Sequence, residues 1–441
     1  MLQFLDSPAP NSIFLLKGYA GTGKSSFFAA FVSACTDLNI KTVLLAPTGR
    51  AAKVFSGYTG MSAFTIHKKI YRQKRVGGGG TMFDLSDNLH TNTLFIVDEA
   101  SMISNQSDQG FGTNGVLDDL IHYVYNGDNC RLILIGDQAQ LPPVGELIGK
   151  ALDNNYLAGY GFDIFDATLT DVVRQEAESG ILFNATLVRS LIGNNQPFVM
   201  PTLVKGEFPD IYFVSSVELS DHLEHCYGRD GIENSIIITR SNKRALQYNM
   251  AVRNQILYRE ELLTTGDLLI VTKNNYYWNI PYEGLPFIAN GEMLEISRMK
   301  GVEEIYDQRF YNLSVRIIST DMEIDARILE SALLDEQSPI SKDKQEQFLN
   351  SVLEDYAHIN NKSTLYKELK NNSYLNSIYA KFGYAITCHK SQGGQWTNVF
   401  VDMEILIVDN LDESFYKWLY TAITRATERL YFINYRKEEE F

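Results

Sequence analysis

The chain has 441 residues, 45% of them hydrophobic and 21% charged, which is ordinary globular composition and too long for one hydrophobic core; about two to four domains are expected. The formal net charge of −15 excludes a uniformly basic surface, although a local basic groove can sit on an acidic body. Four cysteines with no C-x-x-C pair point away from a disulfide framework or a zinc ribbon and toward a reduced, cytoplasmic compartment, and no signal peptide or membrane span of ~18 apolar residues is visible.

In chain order, the first short apolar runs are SIFLLK (12–17), TVLLAP (42–47), TLFIVDEA (93–100) and RLILIGD (131–137). Each is branched, short and closed by a turn-like or acidic residue, as buried parallel strands with intervening helices are. The pattern predicts a doubly wound α/β domain that binds ligands at the carboxyl ends of its strands. Residues 71–92 interrupt it with a basic cluster and four glycines, Gly77 to Gly80, which predicts an inserted hairpin or loop. A second α/β pattern opens at DIYFVSS (210–216) and SIIITRSN (235–242). From about 265 to 375 β-rich pieces and a polar helical stretch replace it, which suggests a small barrel-like module. The α/β pattern resumes at KFGYAITCHKSQG and ends in LYTAITRATERLYFINY.

Residues 18–25, GYAGTGKS, match G-x-x-x-x-G-K-S between a strand and an apolar helix, the context a phosphate-binding loop requires. Gly18, Gly21 and Gly23 let the backbone wrap closely around phosphates, with Thr22 and Ser26 in the same turn. Lys24 is expected on the β- and γ-phosphates and Ser25 on Mg²⁺. Asp98 and Glu99 end an apolar strand: Asp98 is expected to hold the metal and Glu99 to polarise the attacking water, a helix N-cap being the alternative. IGDQAQLPPV (135–144) is a third polar strand tip, from which Gln140 is expected to sense the γ-phosphate.

Taken together, GYAGTGKS, LAPTGRAAK, TIHK, VDEAS, GDQAQLPP, LTDVVRQ, TCHKSQG and YTAITRA resemble the ordered motifs of superfamily 1 helicases, most nearly the RecD-like and Dda-like branch that moves 5′ to 3′ on single-stranded DNA. The resemblance implies two RecA-like domains with ATP and Mg²⁺ between them, and Arg174 and Arg425 reaching the γ-phosphate. It also implies a DNA track of Pro47, Thr48, Thr65 and His67 in the first domain and of Thr239, Asn249, His389 and Lys390 in the second, contacting the backbone without reading sequence. Thr387, in the same TCHK segment, is expected to touch the nucleic-acid backbone with His389 and Lys390. Phe64 could stack a base or simply pack in the core. Gln392 and Gly393 are expected to begin a turn facing the nucleotide, and Cys388 to be packing.

The implied organisation is a first RecA-like domain over residues 1–175 with a small pin-bearing insertion near 69–92. A second RecA-like domain follows in two parts, 176–264 and 376–441, split by an SH3-like insertion at 265–375. Single-stranded DNA and duplex forks are the implied partners, alongside repair, recombination or replication proteins. The family's adenine-contacting Gln motif has no counterpart in a helical context before Gly18, where Gln3 stands. A P-loop NTPase acting on something other than nucleic acid, and a non-catalytic subunit of a repair complex, are the rival readings. HLEHC (222–226) is read as one face of an amphipathic helix, not a metal site.

Overall fold

The computed structural model describes residues 1–7, 9, 11–75, 81–105, 115–146, 148–171, 179–194, 198–278, 287–336, 342–403 and 411–435. The chain divides into two compact units. One holds residues 1–74, 82–214 and 391–441; the other holds 75–81 and 215–390.

In the first unit the sequence delivers strands β1 (Ser12–Gly18), β2 (Lys41–Ala46), β3 (Ala63–Thr65), β4 (Tyr71–Arg75), β5 (Thr81–Leu85), β6 (Thr93–Val97), β7 (Arg131–Gly136), β8 (Asp163–Leu169) and β9 (Ile211–Val214). Six of them form a sheet in the order β3-β2-β6-β7-β1-β8, every pairing parallel. Its central strands are apolar on both faces, and alternation sorts them. Ile13, Leu15, Leu45, Phe95, Val97, Leu132 and Leu134 enter one core. Their neighbours Phe14, Leu16, Leu44, Leu94, Ile96, Ile133 and Ile135 enter the other, beneath Phe28 and Val32 of the helix Lys24–Asp37. A strand buried on both sides must be covered by helices on both sides, which is the doubly wound arrangement. β4 and β5 pair as a hairpin, as the basic insert predicts; Gly77 to Gly80 fall outside the described residues.

The N-terminal residues correct one expectation. Gln3 lies in a one-turn helix, Leu2–Leu5, and is itself exposed. The turn is anchored because Phe4 is fully buried against Phe14 and Phe165. The Arg131 guanidinium donates to the carbonyls of Phe4, Leu5 and Ser7. Isolated four-residue helices are unstable in water, so this one depends on tertiary contacts that sequence pattern does not register.

The second unit carries β10 (Ser235–Thr239), β11 (Leu268–Val271), β12 (Met293–Ile305), β13 (Gln308–Ile317), β14 (Met322–Leu329), β15 (Ala380–Phe382) and β16 (Ala385–Thr387). β10 and β16 pair in parallel, Ile237 to Ala385 and Thr239 to Thr387. The β-rich segment is an antiparallel sheet in the order β14-β13-β12-β11-β15. β12 breaks register at Ile296/Arg298 and Met299/Gly301, and such bulges increase twist. The two edges meet at an isolated bridge between Ile328 and Ile378, so the sheet curls toward the barrel expected from sequence. The helices Lys342–Asp355 and Lys362–Asn371 supply Phe348, Val352 and Leu369 to a small core with Phe310 and Leu329. Where this sheet begins, fully buried Asp267 accepts from Arg253, Arg259 and Tyr384. Such a charge cluster is retained only when every partner is in place.

The chain then returns to the first unit with β17 (Trp396–Asp402), the helix Glu413–Ile423 and β18 (Ala426–Ile433). β17 pairs in parallel with β18, and β18 with β9. Phe400, Tyr431 and Tyr212 stack across these strands at 4.2 and 4.6 Å between ring centroids.

Candidate functional site

β1 ends at Gly18, and the loop to the following helix is shaped by Gly21 and Gly23, with φ of 78° and 81°, a region that side chains disfavour. Lys24 Nζ donates to the carbonyls of Gly18 and Tyr19 at 2.7 and 2.8 Å. Thr22 Oγ1 donates to Tyr19 O at 2.8 Å. Ser25 and Ser26 are exposed on the first helical turn.

Asp98 and Glu99 follow β6. Glu99 adopts a left-handed backbone, φ 52° and ψ 38°, which costs a non-glycine residue about 1–3 kcal/mol and is characteristic of functional sites. Its N–H donates to Asp98 Oδ1 at 2.8 Å. The Tyr58 hydroxyl, from the helix Gly49–Thr59, donates to Asp98 Oδ2 and also engages Ser25. Ser25 and Asp98 therefore converge on one hydroxyl, so two hard oxygen donors suited to Mg²⁺ lie side by side. Burial and the neighbouring Glu99 push the Asp98 carboxyl up to about 6.

Past β7, Asp137 is 1% exposed. Burial raises its carboxyl, and Lys24 and the Tyr420 hydrogen bond pull the other way. The Tyr420 hydroxyl donates to Asp137 Oδ2 at 2.7 Å and accepts from Ala20 N–H, inside the phosphate-binding loop, at 2.8 Å. Four residues on, Leu141 is gripped at both ends. Its N–H donates to Thr421 Oγ1 at 2.9 Å, and its carbonyl accepts from Gln392 Nε2 at 2.8 Å. Gln140 is buried with no partner for its Oε1 among the described residues. It lines a cavity of about 320 Å³ with Ser101, Asp137 and Lys417.

Arg425 is 4% exposed. Its guanidinium donates to Thr421 O, Gly394 O and Thr424 Oγ1 at 3.0, 3.3 and 3.1 Å, with no carboxylate partner among the described residues. That removes the surface ion pair as its explanation: a buried cation held only by neutral acceptors is suited to an incoming anion. Arg174 lies outside the described residues. Gly393 takes φ 70°, where a Cβ would stand 3.1 Å from Ala51 Cβ and 3.3 Å from Thr48 Oγ1, so its turn presses on the PTGRAAK segment. Arg50 completes that contact, stacking over Trp396 at 3.9 Å and donating to Gln395 O at 3.1 Å.

The residues expected on a nucleic-acid track divide by environment. Pro47 and Thr48 are half-buried at the end of β2, Thr48 capping its helix through Ala51 N–H. Thr65 caps the short helix Ile66–Ile70 through Lys68 N–H. His67 packs near Tyr71, with ring centroids 5.7 Å apart. Phe64 is partly buried against the core, with Lys68 over its ring at 5.0 Å.

In the second unit, Thr239 is fully buried and donates to backbone carbonyls. Asn249 donates to Ala385 O and accepts from Tyr384 and Ala385 N–H. Both side chains turn inward and satisfy backbone groups around the strand before TCHK. Thr387, His389 and Lys390 are half-buried. Burial lowers both ionisable groups, Lys390 to about 8 with help from Lys381. Cys388 is buried, and HLEHC lies on the helix Leu219–Asp230.

Residues 8–189 match the family model described as an AAA domain, and residues 382–433 match that of the UvrD-like helicase C-terminal domain. The helicase dda of Enterobacteria phage T4, described as an ATP-dependent DNA helicase, is 23% identical over 70% of this chain and 73% of its own. Over most of its length the chain is similar to superfamily 1 helicases. An uncharacterized protein of Acanthamoeba polyphaga mimivirus is 26% identical over 98% of this chain and 97% of the relative. The fold of the chain is similar to that of a Pif1 helicase solved at forked double-stranded DNA, with a TM-score of 0.51, 16% identity, and coverage of 99% of this chain and 91% of that one. The chain thus has the two RecA-like α/β domains expected from its motifs.

Sequence reasoning missed Tyr58, Asp137 and Tyr420 as parts of the candidate site. Tyr58 and Tyr420 sit in amphipathic and apolar helical runs, where tyrosine reads as packing; for Tyr420 the adjoining AITRA offered a signal. Tyr420→Phe keeps the ring and removes both hydrogen bonds. It is expected to cost about 1.5–3 kcal/mol, the weight of a hydrogen bond to a charged group, read as a shift in the urea unfolding midpoint. A midpoint equal to wild type would show that the bridge contributes nothing.

Proposed function

We propose that this protein is an ATP- and Mg²⁺-dependent motor that moves 5′ to 3′ along single-stranded DNA and unwinds the duplex ahead of it. The observation that carries the reading is that Lys24, Ser25, Asp98, Glu99, Asp137 and Arg425 all belong to one compact unit, with Arg425 buried and unopposed by a carboxylate among the described residues. Relatives described as ATP-dependent DNA helicases support it.

Lys24 and the loop backbone would hold the β- and γ-phosphates. Ser25 and Asp98 would hold the metal, which supplies charge neutralisation on the phosphates. Glu99, tipped into its left-handed backbone, would orient the attacking water. Arg425 would meet the charge that develops on the transferring phosphoryl group, a contribution that can reach ~10³-fold or more in rate. Gln392 holds Leu141, and His389 and Lys390 precede it by two and three residues in the chain. Movement of the Asp137–Leu141 loop on hydrolysis would therefore be felt where DNA phosphates are gripped. The hairpin near 69–92 is proposed as the pin, and the curled sheet as the SH3-like insertion.

Duplexes carrying either a 5′ or a 3′ single-stranded tail test the polarity. Strand separation is expected from the 5′-tailed duplex only, in the presence of ATP and Mg²⁺, and none with Lys24→Ala. Unwinding of the 3′-tailed substrate alone would reverse the assignment.

Lys390 gives a pH signature. Its ammonium is present below about 8 and lost as pH rises through that value, so its attraction to phosphate fades there. Single-strand affinity, measured by fluorescence anisotropy at fixed ionic strength, is expected to fall about tenfold or less between pH 7 and 9, the range of one charge-assisted contact. Lys390→Arg, which stays charged, is expected to flatten the profile. An unchanged slope in that variant would remove Lys390 from the track.

A further inference from the structure

Beside the phosphate-binding loop lies a cation with no role in the mechanism above. Arg189 is on the helix Gly180–Leu191, and its guanidinium carbon stands 4.2 Å from the centroid of the Tyr19 ring. Tyr19 is the second residue of GYAGTGKS. Its carbonyl accepts from Lys24 Nζ and Thr22 Oγ1, and the next N–H in the chain, of Ala20, donates to Tyr420. The Arg189 charge also acts on the Tyr420 hydroxyl, opposing the upward push of burial and of Asp137.

What sets Arg189 apart is its lack of a counter-ion. Among the described residues no carboxylate lies within ion-pair distance of it, and no side-chain hydrogen bond is made by its five N–H donors. Other half-buried or buried arginines are engaged: Arg131 donates to three carbonyls, Arg327 pairs with Glu303, and Arg253 with Asp267. A guanidinium stacked on an aromatic ring keeps its in-plane donors available. Arg189 is held against the first turn of the phosphate-binding loop, where a polyphosphate would bring several negative charges.

We propose that Arg189 is a nucleotide-binding residue that contacts the polyphosphate of a bound nucleoside triphosphate, in addition to Lys24 and Arg425. The proposal rests on the phosphate-loop reading and adds a cation that no motif assigns. A ring-stacked arginine serving only as packing would affect every nucleotide alike. A phosphate ligand makes the effect grow with phosphate number.

The test is titration of fluorescent adenosine tri-, di- and monophosphates into the full chain, with Mg²⁺ and without DNA, for wild type, Arg189→Ala, Arg189→Lys and Lys24→Ala. Arg189→Ala is expected to weaken the triphosphate about tenfold or more, the weight of a charge-assisted hydrogen bond, the diphosphate less and the monophosphate least. Arg189→Lys is expected to recover part of the loss. Equal weakening of all three nucleotides, or none, with Lys24→Ala impaired, overturns the proposal and leaves the loop assignment standing. Triphosphate binding unchanged in Lys24→Ala overturns both. If Arg189→Ala does not melt cooperatively, Arg189→Gln carries the same comparison.

Discussion

The Asp137 carboxylate is the point on which the rest of the site depends. It is buried at the tip of a central strand, and burying an ion without partners costs several kcal/mol. Its partners come from opposite ends of the sequence. Ala139 N–H closes the local turn, and the Tyr420 hydroxyl arrives from the helix before Arg425. That hydroxyl in turn holds Ala20 of the phosphate-binding loop. One buried charge thereby fixes three segments more than a hundred residues apart, and the placement of Arg425, five residues beyond Tyr420, follows from it. The grips on Leu141 by Thr421 and Gln392 make the same connection a second and third time. A loop held by three separate side chains cannot shift without moving the segment that carries the arginine.

Several candidate residues are engaged inside the fold. Gln392, expected in a turn facing the nucleotide, donates to the Leu141 carbonyl. Asn249 and Thr239, expected on the nucleic-acid track, satisfy backbone groups around Ala385 and Ile386. In each case the polar side chain is buried and its hydrogen-bonding capacity is taken up internally, as buried polar groups require. Motif membership marks these positions, but at least part of their role is to hold neighbours still. Lys390 and His389 differ from these in being half-buried, and burial lowers the proton affinity of both.

Much of the fold was legible because the physics is local and periodic. Apolar runs such as TLFIV and RLILIG can only be strands covered on both faces, and Gly21 and Gly23 announce a backbone that other residues resist. Gly393 gave a weaker version of the same signal. The long antiparallel strands were legible as β texture, and their curl through the Ile328–Ile378 bridge was not, since closure joins residues fifty apart with no sequence mark. The Tyr58–Asp98, Tyr420–Asp137 and Arg189–Tyr19 contacts were hidden for the same reason. Each is a long-range pairing of a tyrosine with a charged side chain, and on its own helix or loop each tyrosine is indistinguishable from core or surface packing.

The central claim is that Arg425, buried and without a carboxylate partner among the described residues, completes a hydrolytic site built on the phosphate-binding loop. Single-turnover ATP hydrolysis by Arg425→Ala, measured alongside nucleotide affinity and saturating single-stranded DNA, tests it most directly. The account predicts a fall in the hydrolysis rate of ~10²-fold or more, with nucleotide affinity changed far less. Hydrolysis at the wild-type rate in a folded variant would contradict it.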